Sequence, residues 1–127
     1  MNGLKNGKGK EFNDNEKLLF KGEYLNDKRW NGSSHNIKNN EIFEIKDGAG
    51  EVQEYNSGDN LLFEGEYKYG KRWKGKGNEY NYYDKIIFEG EYLNGRRWNG
   101  KGKEYFFDNE LDFQTQYFEG KWYFIEY

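Results

Sequence analysis

LLFEGEYKYGKRWKGKGNEYNYYDK (Leu61 to Lys85) runs straight into IIFEGEYLNGRRWNGKGKEYFFDNE (Ile86 to Glu110), two copies of one pattern at a period of 25 residues. A fixed period of this size marks a supersecondary unit too small to bury its own apolar face, so each copy must stack on its neighbours. Within the unit, Phe63-Glu64-Gly65-Glu66-Tyr67 alternates strictly, the signature of a half-buried strand with Phe63, Gly65 and Tyr67 on one face. Asn94-Gly95 in the second copy is the strongest short-range hairpin signal, because a type I′ turn needs positive φ at both central residues. Tyr69-Gly70, Glu119-Gly120 and Asn26-Asp27 hold the same place in their copies. The return strand, Arg72-Trp73-Lys74-Gly75-Lys76-Gly77, puts Lys74 and Lys76 on the parity that faces Glu66 and Glu64 across the hairpin.

The opening Phe locates the other copies. Phe63, Phe88 and Phe113 are 25 apart; Phe43 lies 20 before Phe63 and Phe20 lies 23 before Phe43. An aromatic stands eight residues before most of these anchors (Phe12, Tyr55, Tyr80, Tyr105), and His35, the one histidine, fills that slot before Phe43 as a ring replacing a ring. The units are then a partial copy at 3–17, followed by 18–40, 41–60, 61–85, 86–110 and a terminal cap at 111–127, the 41–60 unit being shortened. Gly65 and Gly90 recur inside strands, where glycine costs roughly 0.5–1 kcal/mol relative to Ala. The expected compensation is that rings of adjacent hairpins lie flat over the bare backbone. The fold expected is all-β: one elongated, single-layer antiparallel sheet of stacked β-hairpins.

Composition sets the limits of function. The 127 residues suit one domain, and a mean hydropathy of −1.31 would suggest disorder if 12 Tyr, 10 Phe and 4 Trp did not supply a thin aromatic core. The net charge of −3, with signs alternating along the chain, gives no basic footprint for nucleic acid and no basic run for anionic lipid. With no cysteine, no apolar leader at the start and no apolar run long enough to span a bilayer, a cytoplasmic setting is expected. Abundant Lys, Asn, Tyr, Phe and Ile with no Pro suggest an AT-rich genome, and the opening in mid-repeat suggests a fragment.

Phe88-Glu-Gly90-Glu-Tyr92-Leu-Asn-Gly95, followed by Asn99-Gly100-Lys-Gly102, resembles the MORN repeat, whose pattern runs roughly YxGxWxxGxxHGxG. The resemblance covers essentially the whole chain, and the NGKGKEY phrase is similar to bacterial MORN-variant proteins described as antitoxin-like. Phe and Tyr stand for the family's Tyr and Trp, Trp73 and Trp98 for its His, Asp27 for a turn glycine and Thr115 for a strand glycine in the last copy. The resemblance implies a solenoid of hairpins that serves as a scaffold or protein-binding module, without catalytic residues.

No catalytic constellation emerges from one His, three Ser and no Cys. The pairs Glu64/Glu66 and Glu89/Glu91 repeat from copy to copy, whereas an active site is made once; the Gly-x-Gly pairs lie within strands, away from any helix N-terminus. No cofactor or metal is expected. The residues expected to meet a partner are the recurring pairs Arg29-Trp30, Arg72-Trp73 and Arg97-Trp98; Phe20, Phe43, Phe63, Phe88, Phe113, Gly65 and Gly90 are the structural anchors. The partner expected is a protein, with self-association through sheet edges as a further possibility. The alternative is a carbohydrate- or choline-binding module, since Gly120-Lys-Trp122-Tyr123-Phe124 resembles the cell-wall-binding repeats of choline-binding proteins.

Overall fold

A computed structural model describes the backbone of residues 5–105 and 111–125; the outer limits expected for the units at 3, 110 and 127 lie outside the described residues. Eleven strands run through these residues in chain order: β1 (Gly7–Phe12), β2 (Leu18–Leu25), β3 (Lys28–His35), β4 (Ile42–Ile45), β5 (Gly50–Tyr55), β6 (Leu61–Lys68), β7 (Lys71–Tyr80), β8 (Ile86–Leu93), β9 (Arg96–Tyr105), β10 (Leu111–Phe118) and β11 (Lys121–Phe124). Every pairing is antiparallel between strands consecutive in sequence, and neither sheet closes on itself. The five tight turns open on Asn26-Asp27, Asp47-Gly48, Tyr69-Gly70, Asn94-Gly95 and Glu119-Gly120, all with positive φ at both central residues. Those are the dihedrals a two-residue type I′ connection demands.

The rungs fall where alternation put them. Glu64 stands opposite Lys76 and Glu66 opposite Lys74; Glu89 stands opposite Lys101. The other face carries the rings. Phe20, Phe63 and Phe88 are fully buried, with Tyr24 and Tyr92 nearly so, and Ile45 and Val52 complete one continuous core cluster. Rings of successive hairpins meet edge to face: Phe63 and Tyr92 at 5.9 Å, Phe88 and Tyr117 at 5.2 Å. Burial of large rings, at about 25 cal/mol per Å², supplies the core that Leu and Val supply elsewhere.

The glycines work differently from the expectation. A β-carbon on Gly65 or Gly90 would meet the facing strand, 2.6 Å from the Cα of Gly75 or Gly100, and not a ring. Gly22 and Gly32 form a third such pair. Glycine is needed there because two backbones approach too closely for any side chain. Rings over glycine do occur elsewhere, with Tyr24 beside Gly9 and Tyr117 beside Gly102. In the last hairpin Thr115 and Phe124 stand opposite each other where Gly90 and Gly100 stand in the copy before.

The expected single sheet is in fact two: β1 to β4 form one, β5 to β11 the other. The interruption falls in the shortened unit. After the Asp47-Gly48 turn, β4 and β5 share one bridge, between Lys46 and Ala49. Continuing that register would set Glu44 opposite Glu51 and Glu41 opposite Glu54, and like charges directly opposed destabilise a ladder. It would also set Phe43 opposite Val52 with no glycine pair to let the strands close up. Beyond the bridge the two strands form no ladder, while the ring cluster runs on unbroken from Phe20 through Ile45 and Val52 to Phe63. Among the described residues no helix is long and apolar enough to cross a membrane.

Candidate functional site: the seam and the surfaces beside it

Each full unit builds the same side-chain assembly on its ring face. Arg29 bonds Glu11 through Nε and Nη2 at 2.8 and 3.2 Å, and the Tyr24 hydroxyl donates to the same carboxylate at 2.7 Å. Arg97, Glu79 and Tyr92 repeat it at 2.9, 2.7 and 2.9 Å, and Arg97 also donates to the Tyr117 hydroxyl at 2.8 Å. Arg72 donates to Glu54 at 2.8 Å beside Tyr67. The three guanidinium groups lie 4.8 to 5.1 Å over Phe20, Phe63 and Phe88. Arg72 and Arg97 reach on to Tyr92 and Tyr117 of the following hairpin. A planar cation stacked on a ring and held by a carboxylate, bidentate at Arg29 and Arg97, joins one hairpin to the next.

The titration behaviour follows from this packing. For Glu79, hydrogen bonds from Arg97 hold the carboxyl below its usual range against the opposing effect of burial. For Glu11 burial pushes upward, but the hydrogen bonds and charge of Arg29 outweigh it and the net direction is down. Burial raises Tyr24, Tyr67 and Tyr92, and the neighbouring carboxylate raises each further.

Arg29, Arg72 and Arg97 therefore sit on the ring face, with side chains 10%, 31% and 27% exposed. The cause is a β-bulge. Tyr67 pairs with Arg72 and Glu66 with Lys74, so Trp73 is an extra residue that reverses the parity beyond it. Trp30 and Trp98 hold the equivalent bulges. Bulging frees the tryptophan carbonyl: that of Trp30 accepts the N–H of Gly48 and that of Trp98 the N–H of Gly120, both at 2.9 Å. The Trp73 carbonyl accepts the N–H of Asn94. The half-buried rings of Trp30 and Trp98 cover the turn glycines Gly48 and Gly120. The Lys68 ammonium lies 4.8 Å over Trp73.

Other anchors have mixed placements. Phe113 is half-buried and 5.2 Å from Phe124. Phe43 is half-buried opposite Ser34, and Ile45, at 1% exposure, is the buried residue of β4. His35 is half-buried opposite Ile42. One structural residue was not anticipated. Asn13, Asn36, Asn56 and Asn81 each follow the connector ring, and each side-chain oxygen accepts loop N–H groups: Tyr83 and Lys85 at 2.9 and 3.0 Å in the case of Asn81. The recurring ring-Asn dipeptide was the available signal.

A concavity of about 800 Å³ lies over β5 to β9, bounded on one side by the β3–β4 loop and Phe43 of β4. Its walls carry Glu41, Glu51, Glu64, Glu66 and Glu91 against Lys74 and Lys76, with Phe43 and Trp98 also in the lining. Glu51 stands directly opposite Glu66, a like-charge rung where the neighbouring rungs pair opposite signs. Gln53, opposite Glu64, lines the same space; it is 4% exposed and its Oε1 has no hydrogen-bond partner. A buried carbonyl oxygen left unpaired costs about 1–3 kcal/mol. Arg29 Nη1 and Ser34 Oγ are likewise unpaired, but neither belongs to this lining. Among the described residues no group of three His, Cys, Asp or Glu has the arrangement to hold a metal ion. A second surface lies at the β11 edge, where Phe118, Trp122, Tyr123 and Phe124 are 53 to 60% exposed. No family model, curated protein or solved structure matched the chain in comparisons with all three.

Proposed function

We propose that this chain is a non-catalytic interaction module of MORN-like hairpin repeats, acting as a cytoplasmic scaffold that holds a protein segment in the groove over β5 to β9 beside β4. The observation that carries the reading is the groove's charge: Glu41, Glu51, Glu64, Glu66 and Glu91 line it against Lys74 and Lys76, with Glu51 set opposite Glu66. The ring face is committed to the Arg–Glu–Tyr assemblies that join hairpins, which leaves the opposite surface for a partner. In this reading Trp98, which covers the Gly120 turn and also lines the groove, is the ring a partner meets, and Trp30 braces the Gly48 turn. Arg29, Arg72 and Arg97 hold the units in line.

Selection of a random peptide library on the folded chain tests it. Enriched peptides should compete for one site and lose binding when Glu51 and Glu66 are both replaced by Lys. The exposed rings of β11 favour the second reading, an aromatic surface for choline or glycan, with Trp122 and Phe124 edge to face at 5.2 Å. If choline or soluble glycans shift tryptophan fluorescence while the library yields nothing, the second reading replaces the first.

A further inference from the structure

We infer that the segment taken by the groove is extended and basic, with Arg side chains at alternate positions; this rests on the interaction-module reading above. The electrostatics come first. Lys74 and Lys76 are already opposed to Glu66 and Glu64, and Lys76 also to Glu91. Glu51, opposite Glu66, and Glu41, in the loop before β4, add negative charge to the same walls. A like-charge rung is destabilising by itself, so a cation placed between Glu51 and Glu66 turns a repulsion into two attractions.

Carboxylates are acceptors, and they call for a donor. Guanidinium brings five N–H donors in a planar fork, which serves the Glu51 and Glu66 carboxylates at once and stacks on Phe43 or Trp98. The spacing fixes the register of the ligand. The Glu51–Glu66 and Gln53–Glu64 rungs are two residues apart along β5, about 7 Å. A strand also repeats its side-chain direction every second residue, so Arg at positions i and i+2 meets both rungs.

The test is fluorescence polarisation of the full chain with a labelled alternating Arg-Ser octapeptide, beside Glu-Ser and Gly-Ser controls. The Arg-Ser peptide is expected to bind saturably and to weaken as salt rises, and the controls to stay free. Glu51→Gln relieves the like-charge rung and keeps the fold; with Glu66→Gln it should weaken binding by about five-fold or more. Glu89→Gln, on a balanced rung outside the groove, should leave affinity unchanged. Equal losses from Glu51→Gln and Glu89→Gln would reduce the effect to general charge attraction and overturn the inference. Displacement of the peptide by calcium alone would also overturn it, by showing an inorganic cation site. If the library instead enriches neutral or acidic peptides that the groove variants release, the basic ligand falls and the interaction module stands. An empty selection removes both.

Discussion

Gly90→Ala puts the proposed reason for the strand glycines under direct load. The new methyl would lie 2.6 Å from the Gly100 Cα, with the Asn99 carbonyl also in contact, and carbon atoms at rest sit about 3.5–4.0 Å apart. The obstacle is backbone on the central pair β8–β9, so no side chain can rotate away; the strands must separate by about 1 Å. Overpacking of this kind costs about 1–3 kcal/mol, and the reduced entropy of the unfolded chain returns about 0.4–1 kcal/mol. A net loss near 1–2 kcal/mol is expected, which for a domain of this size lowers Tm by roughly 3–10 °C. Thermal and urea melts followed by circular dichroism measure it. Gly58→Ala is the control: that glycine is exposed, and its methyl would meet only the tips of the Asn60 and Asn56 side chains, at 3.2 and 3.5 Å. Its melt should stay within about 0.5 kcal/mol of the parent. If Gly90→Ala melts with the parent, the close approach of backbones does not explain these glycines.

Two further outcomes follow from the same geometry. Glu79 has a depressed pKa in the folded state, so its contribution is complete above the ordinary carboxylate value and is lost as pH falls through the lower folded value; Glu79→Gln should therefore be less stable at neutral pH and show a flatter acid limb in urea melts at stepped pH. Asn81→Ala removes the acceptor for two loop N–H groups at once, and should cost about 1 kcal/mol and speed amide exchange at Tyr83 and Lys85.

Much of this architecture is legible in the chain because its information is local. Asn94-Gly95 specifies its turn, the turn fixes the register, and the register brings Glu64 to Lys76. Two things were not legible, for different reasons. A single extra residue reverses parity, so the bulge at Trp73 sent Arg72 to the ring face although simple alternation assigned it to the polar one. The regular spacing of Glu11, Tyr24 and Arg29, repeated at Glu79, Tyr92 and Arg97, records that assembly without revealing its parity. The parting of β4 and β5 is hidden for another reason: Ile42–Ile45 and Gly50–Tyr55 each read as ordinary strands. Whether two strands pair is a property of the two together and of neither alone, so the gap cannot be read from either strand. The groove and its stranded Gln53 inherit that invisibility.

The bond from a turn N–H to the preceding tryptophan carbonyl has a consequence for how such a molecule changes length. A unit whose tryptophan carbonyl accepts an N–H from the next turn, and whose own turn N–H is donated back to the unit before, holds no record of its ordinal place. Duplicating the 25-residue block would leave every neighbour with the contacts it already has, so extension in whole blocks is nearly neutral for the fold. Duplicating the shortened unit would instead open a second seam. Length is thus free to drift by copying, while the number of grooves stays tied to one irregular member of the series.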